Sequence, residues 1–438
     1  MSLAGGSDEK AGTMGPARAT FLVAGNMIGS GIFLLPATLA AFGSVTVIGW
    51  LITGLGAFLL AGVFVLLFRV KPGSVGLVQQ VRDGMGRFFG FHASLLYWIA
   101  GWVGNVAVAL AATGYLSIFF PELKDPLPAM ACSLTVIWLM TVINWLGVRQ
   151  VADFEGGALL VGLLPVLVVT AIGWYAFDPV MFRESWNVSG QSDLQVIPAT
   201  FALIFWAFVG VESATVAAAA VRNPARDVPI ATLGGVALAA LVYLAATVAI
   251  DGLLPATTLA ASNAPFADAA ARWLGPAVAA IVAGCAVLKA LGTLSGWLLV
   301  TAEAARRGAE LGVFPAFFRE ASANHARRNL LIVSGLMSVI VILSSLTPTL
   351  GAQFTFLINL ATLLYLVIYT YSCIALWGFT THVGIRVVAV LTAGFCLWAI
   401  VASGVHQILY LAVIWALGVP LYFGLQKPVP AVAADQEA

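Results

Sequence analysis

Apolar runs of about 20 residues recur from one end of this chain to the other, separated mostly by short polar breaks. A helix of about that length spans the hydrocarbon core of a bilayer, where every backbone N–H and C=O must be paired internally. The runs therefore predict an all-α membrane protein. Hydrophobic residues make up 61% of the chain, charged residues 9%, and mean hydropathy is +1.01; soluble domains carry about 25% charge. Twelve spans are expected, at 17–41, 45–68, 88–119, 127–147, 156–177, 195–221, 228–252, 276–305, 329–346, 352–377, 384–403 and 406–425. The polar ends, 1–16 and 426–438, are expected to be disordered, with 17–425 forming one transmembrane domain. The first of them lacks the basic start, apolar core and cleavage site of a signal peptide.

An even number of spans puts both termini on one side, and the Lys/Arg distribution says which. Of the 20 Lys and Arg, Lys124, Arg183 and Arg272 fall on one side and Lys289 within a span, leaving the other sixteen on the opposite side. The positive-inside rule then predicts that both termini are cytoplasmic. Two loops on that side exceed a turn. The stretch 71–87 has Val75, Val78 and Val81 near helical spacing, which suits a short surface or re-entrant helix or a plain loop. In 306–329, Phe314, Phe317 and Phe318 sit amid basic charge, as in a helix lying at the headgroups or a basic loop.

Several chemistries have no visible residues to carry them. Cys132, Cys285, Cys373 and Cys396 lie in apolar runs without metal-type spacing and read as small core residues. His92, His325, His382 and His406 fall near span ends and read as interface residues. No nucleophile–base pair or phosphate-binding loop is apparent, which argues against an enzyme; a sensor that binds without transporting is a further alternative. The net charge of +1 says nothing about nucleic acid.

The first span carries an unusual interruption, "GNMIGSGIFLLPATLA", in which Gly29, Ser30 and Gly31 can unwind and leave no bulk over the freed backbone. A helix restarting at Ile32 would present unpaired N–H groups and a positive dipole end, which suit a carboxylate. Secondary transporters place such broken helices at the midplane in corresponding positions of two inverted repeats. A second break occurs five spans later, where Gly210, Glu212 and Ser213 interrupt "PATFALIFWAFVGVESATVAAAAVRNP". A carboxylate at mid-depth costs about 2.5–3.5 kcal/mol on insertion scales, so Glu212 is expected to face protein or water. Close helix packing by small residues is the alternative for either break taken alone.

With "GNMIGSGIFLLP", "LLYWIAGWVGNVAVA", "GYLSIFFPELKDPL", "WNVSG", "FWAFVGVESATVAAAAVRNPARDVPIATLGG", "APFADAA" and "SGWLLVTAEAARRGAELGVFP", the chain resembles the amino acid-polyamine-organocation superfamily from about Ala17 to Gly424. Within it, the pattern is most similar to arginine/agmatine antiporters and their putrescine/ornithine and lysine/cadaverine relatives. The resemblance implies a five-plus-five inverted repeat over 17–177 and 195–377, with helices 1 and 6 discontinuous and the last two helices outside the repeat in a homodimer contact. It implies that Asn26, Ser30 and Gly31 hold the substrate's carboxylate and α-amino group, that Trp206 stacks on its cationic or aliphatic stem, and that Asn105 and Trp297 contact it. It further implies that Glu212 senses protons and gates the cytoplasmic side with Tyr97, with no cofactor.

Each aromatic and amide also has a packing alternative: Trp206 could only pack, and Asn105 could bond only a neighbouring helix. Two departures bear on the cargo. Lys289 replaces a small residue two turns before Trp297, and Ala361 and Tyr365 stand where arginine antiporters carry hydroxyl residues. An ammonium pointing into the cavity would repel a dication, or it could pair with an acid. The expectation is a bacterial inner-membrane exchanger of a cationic amino acid for its decarboxylated amine, arginine for agmatine first, possible proton coupling included. A proton-coupled or facilitated transporter of neutral amino acids, or putrescine/ornithine-type exchange, is the alternative.

Overall fold

The computed structural model describes residues 14–29, 31–74, 76–212, 221–319 and 323–425, with side chains of 323–326 excluded. Among them the chain is helical; the single β-bridge pairs Met14 with Val221. The first span is two helices, α1 (Pro16–Met27) and α2 (Gly31–Ala40), bent by 50° at the break. There follow α3 (Thr46–Val70), the short α4 (Leu77–Met85), α5 (Arg87–Leu116), α6 (Pro126–Trp145), α7 (Val148–Tyr175) and the small α8 (Pro179–Glu184). Next are α9 (Asp193–Ala199) and α10 (Phe201–Phe205), which end in a 3-10 turn over Trp206–Phe208. The rest are α11 (Pro224–Asp251), α12 (Ala256–Ala260), α13 (Pro265–Leu274), α14 (Pro276–Glu310), α15 (Ala323–Ser344), α16 (Leu350–Phe379), α17 (Val383–Ala402) and α18 (Val405–Leu425).

Ten of these helices are long and apolar enough to cross a membrane, and the bent pair makes an eleventh span. The expected twelve are thus not all present among the described residues: the sixth is represented by its first half, Asp193–Phe208, and Ser213 with the rest of that run lies outside them. Helix ends also differ from the sequence reading. The helix expected to begin at 156 starts at Val148, because Gly147, at φ +119°, is the first strong breaker upstream. That shift brings Glu155 inside a span. The surface helix expected around 71–87 exists as α4, with Leu77, Gln80 and Val81 buried.

The centre is built from α14, which packs on α5 and α7, and from α16, which packs on α5. These helices approach closely because their facing positions are small. Ala100, Gly101, Gly104, Ala107 and Ala111 line α5, all buried. In lipid, where tails are as apolar as leucine, such close contact is what holds helices together. The outward faces of the outer helices remain apolar, with Leu160, Leu164, Leu241 and Val383 exposed. The middle of the bundle carries the polar residues, an inversion of the soluble pattern.

Candidate substrate site at the helix break

At the break, α1 ends with the Ile28 N–H on the Ala24 carbonyl, and the Gly29 N–H turns back onto the Met27 carbonyl at 2.7 Å. The Tyr243 hydroxyl, from α11, donates to that same Met27 oxygen at 2.7 Å. A tyrosine from a neighbouring helix thus satisfies part of the freed backbone, as the bilayer demands. Stacking of Trp50 on Tyr243, 5.4 Å between ring centroids, holds that tyrosine in place. Ser30 lies outside the described residues. Gly31 opens α2 directly against Trp206.

The Trp206 indole occupies a slot that two glycines leave open. A Cβ on Gly31 would stand 3.1 Å from Trp206 Cδ1, and one on Gly104 would stand 2.7 Å from its Cη2. Beyond Trp206 the chain turns at Gly210, where φ is +99° and a Cβ would lie 3.3 Å from the Trp297 ring, so glycine is required there. This turn delivers Glu212. Substituting Gly31 by valine is expected to push Trp206 out of its slot and lower ligand affinity roughly tenfold or more while the protein still folds, since overpacking costs about 1–3 kcal/mol. Ligand titration beside a thermal melt checks this; a variant that fails to fold would instead make Gly31 a packing residue.

Side chains four residues apart share a helix face, and three such stripes converge on the break. From α5 come Tyr97, Gly101 and Asn105; from α14, Lys289, Thr293, Trp297 and Thr301; from α16, Ala361, Tyr365 and Tyr369. A small cavity, about 40 Å³, is lined by Asn26, Gly29, Gly31, Asn105, Trp206, Thr293, Trp297 and Tyr365 among others. Asn26 and Trp297 also line a second cavity of about 450 Å³ that extends past Tyr97 and Glu212 to α4 and the basic end of α14. Trp297 thus stands between a central chamber and a vestibule.

The central cavity gathers most of the residues expected there. Asn26, Gly31, Asn105, Trp206, Trp297 and Tyr365 all line it. Asn105 also donates to Thr301 Oγ1 at 3.2 Å, and Thr301 donates to the Trp297 carbonyl at 2.7 Å, so the amide bonds a neighbouring helix from a position on the cavity wall. Two specificity candidates are not in the lining. Ala361 is fully buried behind the Gly104–Trp206 contact. Lys289, 3% exposed, lays its stem against Gly162 and donates from Nζ to Thr293 Oγ1 at 3.0 Å. The glycine on α7 opens a groove for the stem, and the Glu155 carboxylate on the same helix is the charge that acts on this ammonium.

Glu212 accepts from Tyr369 at 2.8 Å and lies 3.4 Å from the Tyr97 hydroxyl. Tyr97 meets Tyr365 edge-on at 5.5 Å, and Tyr365 stacks on Tyr369 at 5.9 Å. Tyr369 was missed from the sequence, although its four-residue offset from Tyr365 in "YLVIYTY" was a usable signal. On the far side, Tyr115 donates to the Phe33 carbonyl at 3.0 Å, and Phe33 packs edge-on against Tyr115 and Phe266, 5.5 and 6.0 Å between centroids. Among the described residues, no group of three or more His, Cys, Asp or Glu could hold a metal ion. Chemically, the arrangement offers aromatic faces, amide and hydroxyl groups and a helix N-terminus to a small zwitterion or cation.

Broken helix, buried aromatic chamber and adjoining vestibule within a many-span bundle define a helical membrane protein with an internal cavity beside a helix break. The chain belongs to the amino acid permease family, whose sequence model matches residues 14–426. It is 37% identical over 399 residues to the cadaverine/lysine antiporter of Escherichia coli (strain K12), covering 89% of each chain. It is 31% identical over 421 residues to the putrescine transporter PotE of Haemophilus influenzae, covering 94% of this chain and 97% of the other. Against PotE of Escherichia coli (strain K12), identity is 31% over 435 residues, 96% of this chain and 98% of the other. The family is one of transporters rather than enzymes.

Proposed function

We propose that this protein exchanges a cationic amino acid for its decarboxylated amine, with lysine and cadaverine as the pair. The observation that carries the reading is the pair of indoles, Trp206 and Trp297, facing one cavity beside the helix break. A ring face attracts an ammonium by about 0.5–2 kcal/mol, more when water is excluded. The likeness to a cadaverine/lysine antiporter favours lysine over the arginine and agmatine expected from sequence, and the PotE likeness favours linear amines generally. In this reading Asn26, Ser30, Gly31 and Asn105 hold the amino acid head, and Glu212 with Tyr97 couples a proton and gates the vestibule. The protein would act in a bacterial inner membrane, termini cytoplasmic, as a homodimer through α17 and α18, rocking one helix bundle about the site. The neutral-substrate alternative rested on Lys289, and the Thr293 contact that holds its ammonium weakens that motive.

Counterflow into proteoliposomes is the test. Labelled lysine should enter vesicles loaded with cadaverine or lysine and not empty ones, faster than arginine enters agmatine-loaded vesicles or ornithine enters putrescine-loaded ones. Flux of neutral amino acids alone would overturn the proposal.

A further inference from the structure

Resting on the amine-exchange reading, we propose that Thr293 is a further substrate-contacting residue, which reads the carboxylate that distinguishes the amino acid from its amine, with Lys289 as its positioning residue. Thr293, on α14 and 4% exposed, lines the central cavity. It faces the helix break: a Cβ on Gly29 would stand 3.3 Å from its Cγ2 and 3.8 Å from its Oγ1. Gly31, which opens α2, lines the same cavity. A threonine inside a helix commonly donates its proton to the carbonyl four residues back. Thr301, further along α14, does so onto Trp297, and Thr113, Thr141, Thr232 and Thr362 do so on other helices. Thr293 does not. Among the described residues, its hydrogen bond is the one it accepts from Lys289 Nζ at 3.0 Å.

The Thr293 oxygen thus serves as an acceptor while its proton has no partner. Buried donors are normally paired, and the position of Thr293 in the lining leaves the cavity as the place for the missing acceptor. Lys289 sets this polarity, because an ammonium can only donate and so turns the hydroxyl proton away from itself. The Glu155 carboxylate acts on the same ammonium from α7, which makes a charge tolerable at that depth. The Thr293 proton and the N-terminus of α2 therefore border one cavity, and both favour an anion. Lysine and cadaverine differ by one carboxylate. Donors placed here strengthen the hold on the amino acid and give nothing to the amine, whose ends are donors themselves.

The test measures half-saturating concentrations of lysine and of cadaverine for the full-length protein in proteoliposomes and reads their ratio. Thr293→Val keeps the shape and removes the donor, so the lysine-to-cadaverine ratio should rise about tenfold, as for loss of a hydrogen bond to a charged group. Thr293→Ser should recover most of the difference. The double variant Lys289→Met with Glu155→Gln removes both buried charges together and leaves neither unpaired. It should raise the ratio about threefold, because the hydroxyl is then free to turn back onto its own helix. A packing role would move both cargoes alike. A ratio within twofold of wild type in Thr293→Val, or in the double variant if Thr293→Val does not fold, would overturn the proposal while leaving exchange intact. A wild-type protein that exchanges no cationic amino acid for an amine would overturn both readings.

Discussion

Trp206→Ala is expected to weaken binding of a cationic ligand by about 30-fold or more, which corresponds to roughly 2 kcal/mol. The loss has two sources. The indole face that attracts the ammonium disappears, and the slot between Gly31 and Gly104 is left empty. Since α2 and α5 meet across that ring, the truncation also removes what keeps the helix break and the α5 stripe in register. Trp206→Phe, which retains a ring in the slot, should recover part of the affinity. Calorimetric titration of both variants with the same cation separates the roles. A dissociation constant for the alanine variant within twofold of wild type would remove the stacking role and leave Trp206 as packing.

Glu212→Gln is expected to abolish most of the pH dependence of transport while leaving a folded protein. The side chains are isosteric, and the amide oxygen can still accept from Tyr369, whose hydroxyl lies 2.8 Å from the carboxylate. What the amide cannot do is gain or lose a proton in the working range. A single titrating carboxyl that controls flux gives a change of about tenfold per pH unit on its controlling limb; the variant should show less than about twofold over the same range. The comparison is made on initial rates across a pH series in vesicles of fixed internal pH. An unchanged profile would move proton coupling to another group of the vestibule, where Glu155, Glu303 and Arg307 also face the cavity.

The two predictions are coupled through the architecture. Trp206 opens the 3-10 turn that leads to Gly210, and Glu212 follows two residues after that glycine. In the proposed reading, a ligand that repositions the Trp206 ring would pull on the short segment that carries the acid. Tyr97, Tyr365 and Tyr369 form a continuous aromatic contact from that acid back to the central cavity. A double-mutant cycle between Trp206 and Glu212 would measure this coupling directly.

Much of this was legible in the residues themselves. Apolar runs, which need only be counted against bilayer thickness, marked nearly every long helix to within a few residues, because hydrocarbon leaves the backbone no alternative to helix. The Gly-Ser-Gly run marked the bend, the polarity of Asn105 and Glu212 marked them as exceptions in an apolar setting, and Trp206 stood out by its nearness to the second break, whereas Trp297 came only from the family resemblance. Tertiary structure decided what depends on helix rotation and on neighbours distant in sequence. Lys289 was expected to matter for the cargo, yet its direction was set by the groove that Gly162 opens on another helix. Glu155 lies just outside the span expected at 156–177, and the structure makes it a vestibule acid because α7 starts at Val148 and Gly296 of α14 makes room for its carboxylate. Tyr369 became a partner of Glu212 through a contact 157 residues away in the chain. Local hydropathy determines which segments cross the membrane; which side chains face one another there depends on close packing between small residues of different helices, which no single segment encodes.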